Sequence, residues 1–302
     1  MQSRDTETLD CAIVGAGPGG LTAAIYLARY RRTSIVIDAG NSRAKWIPES
    51  HNCPGFPSGI SGDAFLARLA EHAGVAGARV ETGEATAVRR LPTGEFELDW
   101  TKGALRARKL ILATGCEDVM PELDGLDRAV DCGAVRFCPV CDAYETIDRS
   151  IAIYGPLPSA ASHALFLRTY SNNVTVVPTS NDGATDRTIR DLREAGIAIT
   201  GAPKGLSFDG QRCAFEIEGT FHAFDVLYPM LGSRQRSELA RSLGAACDNE
   251  GALLVDDHQM TSVEGVYAIG DVVSALNQIA VATGHAAVAA TDVHNALPRR
   301  FA

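Results

Sequence analysis

Cys11-Ala12-Ile13-Val14-Gly15-Ala16-Gly17-Pro18-Gly19-Gly20 decides the fold: a short apolar strand runs straight into a glycine turn. The turn opens a helical run in which Leu21, Ala24, Ile25 and Ala28 recur at helical spacing. A second apolar strand, Ser34-Ile35-Val36-Ile37, ends on Asp38, 23 residues after Gly15. Each part of this pattern has a physical task. Gly15 permits the tight turn, Gly17 lets backbone approach a pyrophosphate, Gly20 allows the helix to pack closely, and the helix N-terminus stabilises phosphate charge. Asp38 accepts hydrogen bonds from an adenosine ribose. The stretch reads as a dinucleotide-binding βαβ unit.

The middle of the chain repeats the theme. Ile151-Ala152-Ile153-Tyr154 is a strand, Gly155 opens a turn, a helix is expected over roughly residues 160–170, and Val174-Thr175-Val176-Val177 is the next strand. This second unit starts 140 residues after the first and has lost its glycine pattern: Leu157 holds the second glycine's place, between Pro156 and Pro158. Between the two, residues 78–112 alternate apolar and polar as a β-meander would, with Arg79-Val80-Glu81 its first segment. Leu110-Ile111-Leu112 reads as a buried strand leading into Ala113-Thr114-Gly115. Val266-Tyr267-Ala268-Ile269 is another, ending at Gly270-Asp271, and a last helix runs from about residue 278 to 297, where Pro298 stops it.

At roughly 100 to 200 residues per domain, 302 residues have room for two. With 46% hydrophobic and 22% charged residues the composition is that of a folded globular chain. A formal net charge of -9 leaves no positive excess for a phosphate backbone or an anionic bilayer, so neither nucleic acid nor membrane is expected as a partner. Residues 1–10 lack the basic start and longer apolar stretch of a secretory signal. The most apolar late stretch carries Asn277, Gln278, His285 and Asp292, against a bilayer span. A soluble, cytoplasmic protein is the expectation.

Eight cysteines are scattered except for one C-x-x-C pair, Cys138 and Cys141. Half a zinc site would need a second C-x-x-C or an H-x-x-H, and neither is present, so the expectation is a redox dithiol and no metal. The other six cysteines are expected as buried small hydrophobes.

Five segments in this order and spacing resemble the low-molecular-weight thioredoxin reductases and their relatives, across nearly the whole chain. They are the opening glycine turn, Asn52-Cys53-Pro54-Gly55-Phe56-Pro57, Ala113-Thr114-Gly115, Phe137-Cys138-Pro139-Val140-Cys141-Asp142, and Thr261-Ser262-Val263-Glu264-Gly265-Val266-Tyr267-Ala268-Ile269-Gly270-Asp271. The resemblance implies an α/β fold with two Rossmann-like dinucleotide-binding domains, the second inserted in the first. An FAD domain would be built from residues 1–117 and 245–302, with residues 118–244 carrying the dithiol and a degenerate pyridine-nucleotide fold. A homodimer is implied as well.

By the same resemblance Gly15, Gly17, Gly20 and Asp38 would hold the FAD pyrophosphate and ribose. Asn52 and Thr114 would lie along the cofactor, Gly270 and Asp271 would take its ribityl or pyrophosphate region, and Gln278 with Ile279 would face the flavin ring. Cys141 would face the flavin, Cys138 would exchange with a dithiol or disulfide substrate, and Asp142 would serve as general acid or base. His285, near the start of the last helix, would relay a proton, since its unperturbed pKa of about 6.5 suits both roles.

The chain departs from the NADPH-dependent pattern at two points: the broken second glycine turn, and Pro178-Thr179-Ser180-Asn181-Asp182 where a basic cluster would grip a 2'-phosphate. Two relatives share such losses, the gliotoxin-type dithiol oxidases, which pass electrons to oxygen, and the ferredoxin-dependent or diflavin-linked disulfide oxidoreductases. Asn41-Ser42-Arg43 and Ser50-His51-Asn52 look like this group, which takes in both branches. A conventional NADPH-thioredoxin reductase remains an alternative, as does a flavin-bearing redox sensor or docking protein. The intact C-x-x-C-Asp argues against the last, because a sensor needs no proton donor beside its dithiol.

Overall fold

The computed structural model describes residues 8–273 and 276–301. The chain opens as β1 (Leu9–Val14), α1 (Pro18–Arg29), β2 (Ser34–Asp38), α2 (Gly62–Val75), β3 (Arg79–Thr82), β4 (Ala85–Arg90), β5 (Phe96–Trp100) and β6 (Gly103–Leu112). These strands form a sheet in the order β3-β2-β1-β6-β5-β4. Besides β1 on one edge, β6 serves two neighbours on the other: its first half pairs antiparallel with β5, and its second half pairs parallel with a strand from the far end of the chain.

β1 is buried along nearly its whole length because both faces of the sheet are covered. Alternation divides its side chains. Ala12 and Val14 pack with Ile35, Ile37, Leu110 and Leu112 on one face, while Cys11 and Ile13 pack with Val36 and Ile111 on the other, under α1. Each fully buried Ile or Leu contributes roughly 1.5–3 kcal/mol. The run Arg79–Thr82, read as part of the meander, instead pairs parallel with β2 at the sheet edge. Its short alternating pattern cannot distinguish an edge strand that follows a helix from the first strand of a meander.

The chain leaves this sheet through β7 (Cys116–Asp118), then forms α3 (Leu126–Asp131) and α4 (Pro139–Asp142). A second βαβ unit follows: β8 (Ile151–Gly155), α5 (Leu157–Leu167), β9 (Val174–Pro178), α6 (Asp186–Glu194) and β10 (Ala198–Ile199). α5 begins three residues earlier than expected and ends earlier too, because Pro156 and Pro158 are well suited to a first helical turn. β11 (Lys204–Phe208), β12 (Cys213–Ile217) and β13 (Thr220–Phe224) make an antiparallel sheet of their own, and β14 (Val226–Pro229) completes the parallel order β10-β9-β8-β14.

β15 (Ser233–Gln235) then pairs antiparallel with β7, so the outgoing and returning chains run side by side as a two-stranded ribbon. After it come α7 (Glu238–Ser242), β16 (Val266–Ala268), which is the strand beside β6, and α8 (Ile279–Ala296). Ala240, Leu239 and Leu243 pack in the core of the first sheet. We therefore propose that the inserted unit ends at this ribbon, near Arg236, rather than at residue 244.

α8 presents Ala286, Ala289, Ala290 and Val293 to Ala23, Ala24 and Leu27 of α1, and these small residues let the two helices lie close. Arg32, 6% exposed, donates to the carbonyls of His294 and Pro298 and so satisfies groups that the end of α8 leaves free. Among the described residues no helix is long and apolar enough to cross a membrane. Four of the six unpaired cysteines are buried as expected, but Cys247 is only half-buried and Cys132 is exposed.

Candidate active site

A cavity of about 890 Å³ lies over the C-terminal ends of β1 and β6 and reaches the C-x-x-C segment. Gly15, Gly17, Asp38, Asn52, Thr114, Cys138, Cys141, Asp142, Gly270, Asp271, Gln278 and Ile279 all line it. Gly20 and His285 are the two expected site residues that do not.

The glycine turn matches a dinucleotide cradle for separable reasons. Gly15 has φ +100, and a Cβ there would meet the Ala113 carbonyl oxygen at 2.4 Å. A Cβ on Gly20 would fall 1.9 Å from the Gly15 carbonyl oxygen, so Gly20 lies outside the cavity yet sets how closely α1 meets the turn. Gly17 caps α1 without any side-chain bond, and an added Cβ would meet only Ser42 Oγ, at 3.3 Å. The first amides of α1 therefore face open space suited to a phosphate. Asp38 Oδ1 accepts from the Ala16 amide at 3.2 Å, which ties the acid to the turn and leaves its other oxygen for a ribose hydroxyl. Gly20→Ala forces the turn apart, and we expect it to cost about 1–3 kcal/mol in a urea melt and to lower FAD content on purification.

Deeper in the cavity Arg43 spans two acids. Its guanidinium binds Asp118 through Nε (2.6 Å) and Nη2 (2.9 Å) and reaches Asp271 Oδ2 through Nη1 (3.1 Å). Burial raises the Asp271 pKa above the usual carboxylate value, and Arg43 pulls it back. Thr114 Oγ1 donates to the Arg236 carbonyl at 2.6 Å, joining the cavity floor to the ribbon.

At the other end Cys138 and Cys141 form a disulfide, with Cα atoms 5.2 Å apart. Cys138 precedes α4, a helix of only four residues. A full helix dipole to acidify a thiol is therefore not available there. A side chain takes the nearest position instead: Gln278 Nε2 stands 3.4 Å from both sulfurs. Gln278 Oε1 accepts from Asn52 Nδ2 (3.0 Å), and Asn52 Oδ1 accepts from Ser50 Oγ (3.0 Å).

Asp142 follows the pair directly. Its Oδ1 accepts from the Tyr228 hydroxyl at 2.7 Å and its Oδ2 lies 3.2 Å from Arg136 Nη1. Burial raises its pKa, while Arg136 and the Tyr228 bond oppose the rise. A carboxyl poised upward in this way can give up or take a proton at a less acidic pH than an exposed aspartate.

His285 sits on α8 just beyond Ala282, which lines the cavity, and no described contact joins it to the disulfide. Its Nδ1 is buried without a hydrogen-bond partner among the described residues. Burial lowers its pKa, and the charge of Asp271 works against that. A histidine whose folded pKa lies below its unfolded value adds stability at higher pH that is lost as pH falls through the folded value. His285→Gln should therefore flatten the fall in urea midpoint between about pH 7 and pH 5. An equally steep fall in the variant would count against a buried neutral ring.

Ser50, Arg43, Arg136 and Tyr228 are site residues that sequence reasoning did not single out. Arg43 and Ser50 stood inside quoted segments, but Arg136 and Tyr228 carry no local signal, since Tyr228 meets Asp142 across 86 residues of chain.

The comparisons agree with this geometry. The family model described as pyridine nucleotide-disulphide oxidoreductase matches residues 9–286. The chain is 28% identical to the thioredoxin reductase of Listeria monocytogenes, over 93% of this chain and 91% of the relative. Among solved structures, the crystal structure of HlmI superposes with a TM-score of 0.86 at 29% identity, covering 95% of this chain and 92% of that one. Thioredoxin reductase from Streptococcus pyogenes superposes at 0.88 with 25% identity, covering 96% and 98%. The chain belongs to the pyridine nucleotide-disulphide oxidoreductase family. It is a thioredoxin reductase-like, flavin-dependent disulfide oxidoreductase, and its cofactor is FAD.

Proposed function

We propose that this enzyme exchanges electrons between FAD and a dithiol or disulfide substrate through Cys138 and Cys141, and that no NADPH bound to its second βαβ unit supplies them. The observation that carries the reading is the start of α5. Leu157 is 3% exposed and built into the core of the second unit, its amide donates to the Ser180 carbonyl at 2.9 Å, and Pro156 and Pro158 have no amide hydrogen. That turn has little room for a pyrophosphate, and Ser159 has its one uncommitted amide.

FAD, when bound, supplies a two-electron store. Gly15, Gly17, Gly20 and Asp38 would hold its adenosine and pyrophosphate, Gly270 and Asp271 its middle, and Asn52, Thr114, Gln278 and Ile279 would lie along the ring. In the dithiol half-reaction a substrate thiolate attacks one sulfur of the Cys138–Cys141 bond, a mixed disulfide forms and a cysteine thiolate leaves. A second substrate thiolate resolves the mixed disulfide, so the substrate is oxidised and the cysteine pair gains two electrons. Asp142 would take or return the proton, with Tyr228 and Arg136 holding its carboxyl in place. His285 would act at one remove, through the charge of Asp271.

The substrate is a small dithiol or a thioredoxin-like protein, the redox partner is ferredoxin or oxygen, and the enzyme works in the cytoplasm as a homodimer. A second reading, the NADPH-dependent thioredoxin reductase, is favoured by the naming of the curated relatives. Parallel anaerobic titration with a small dithiol, NADPH and reduced ferredoxin separates the readings. Fast bleaching of the flavin by the dithiol or by ferredoxin, and not by NADPH, supports the first.

A further inference from the structure

The hydrogen bonds around Gln278 have only one consistent assignment. Asn277 O, 2.8 Å from Gln278 Nε2, and Val140 O, 3.3 Å from Asn52 Nδ2, are backbone carbonyls and can only accept. They force the amide nitrogens of both side chains toward them. Asn52 then spends one hydrogen on Val140 and the other on Gln278 Oε1, while the Ser50 hydroxyl, on a residue 3% exposed, donates to Asn52 Oδ1. Gln278 spends one hydrogen on Asn277 O. Its second points between the two sulfurs, at 3.4 Å from each.

No oxygen takes that last hydrogen among the described residues. A disulfide sulfur is a weak acceptor, whereas a thiolate is a strong one, and hydrogen bonds to ionised groups are about twice as strong as neutral ones. The donor is therefore worth most in the reduced enzyme, and only an interaction that differs between two states shifts their balance.

We propose that Gln278, oriented by Ser50 and Asn52, is a positioning donor that stabilises the thiolate of the reduced Cys138/Cys141 pair and makes the disulfide more oxidising. The equal distances let it serve either sulfur, the one that leaves when substrate attacks or the one that later faces the flavin. It stands where the short α4 supplies little dipole. The proposal rests on the dithiol–disulfide reading above.

The test uses the holoenzyme under anaerobic conditions. After reduction by dithiothreitol and its removal, alkylation of Cys138 and Cys141 by iodoacetamide is followed by mass spectrometry across pH. In parallel, the dithiol fraction is read in glutathione redox buffers. Wild-type enzyme should show a thiol titrating below the ordinary value of about 8.5. Gln278→Met, which keeps the bulk and removes the donor, should raise that midpoint by about one pH unit and shift the glutathione equilibrium about tenfold toward the disulfide. Asn52→Leu should move both readouts the same way by a smaller amount, because Gln278 is then free to turn. A merely structural Gln278 would change neither quantity in protein that retains FAD, and that result overturns the proposal. Should Gln278→Met lose FAD, Asn52→Leu decides alone, a shift of the same sign supporting the proposal and no shift overturning it. Wild-type protein whose cysteines do not exchange with dithiothreitol or glutathione would instead overturn the redox reading itself.

Discussion

Cys138→Ser and Cys141→Ser each lower dithiol–disulfide turnover by about 10³-fold or more while the purified protein stays yellow. The first half of this expectation follows from the chemistry. One cysteine alone can attack a disulfide but cannot resolve the mixed disulfide that results, so the cycle stops after a single event. The second half follows from the architecture. The turn at Gly15, Gly17 and Gly20, the acid at Asp38 and the Gly270-Asp271 pair belong to the first sheet and its flanks, whereas Cys138 precedes α4 and Cys141 lies within it, in the segment between β7 and β8. A hydroxyl in place of either thiol leaves the dinucleotide end untouched.

The two variants also differ from each other. If Cys138 is the exchanging thiol, Cys141→Ser accumulates a covalent adduct with substrate, and Cys138→Ser does not. Mass spectrometry of each variant after incubation with a small disulfide reads this directly. Loss of flavin from both variants, or near-normal turnover in either, contradicts the assignment.

How much of this was legible in the chain depends on how local each signal was. The first βαβ unit was readable because one short stretch carries the strand, turn, helix and terminal acid, and each residue type is required by sterics. The second unit was readable for the same reason, although its helix begins at Leu157, earlier than the spacing of apolar residues suggests, because proline opens a first turn well. Arg79–Thr82 was misplaced because alternation reports which face a residue takes and not which strand lies beside it.

The site divides along the same line. Glycines and cysteines announced themselves by spacing. The polar groups around the cysteines did not: Tyr228 reaches Asp142 from β14, and Asn52 reaches Gln278 across 226 residues. Gln278 was expected against the flavin ring, and its amide also bonds the sulfurs, a contact that depends on the entry to α8 folding beside the C-x-x-C segment. His285 shows the converse. Its position in the sequence near Gln278 suggested proximity to the dithiol, but seven residues along a helix carry it past the cavity, next to Asp271.

NADPH should reduce this flavin slowly, and two independent losses lead to that result. In a nucleotide-binding βαβ unit the first helical turn offers free amides to the pyrophosphate, over a glycine that lets the ligand approach. Here Pro156 caps α5 and Pro158 stands in its first turn, the Leu157 amide donates to Ser180 and the Ala160 amide to Pro156, so Ser159 alone is left to offer a donor. Gly155 survives for a different reason: a Cβ there would strike the Met230 carbonyl oxygen at 2.3 Å, so strand packing demands glycine whether or not a ligand binds. The second loss lies beyond β9, where Pro178-Thr179-Ser180-Asn181-Asp182 holds no arginine or lysine, and Arg187 further on is turned to Asp191 in α6. Each missing charge-assisted bond to a 2'-phosphate is worth roughly 1.5–3 kcal/mol, about 10- to 100-fold in affinity. NADH escapes only the second penalty, so it should be a poor reductant too, limited by the turn at Leu157. Restoring the glycine alone, as Leu157→Gly, should not rescue NADPH, because the prolines and the missing cations remain, and the buried side chain it removes lies in the core of the second unit. Stopped-flow reduction under anaerobic conditions is the measurement. Bleaching by micromolar NADPH at rates above about 10 per second, typical of a competent enzyme, would return this chain to the conventional reductases.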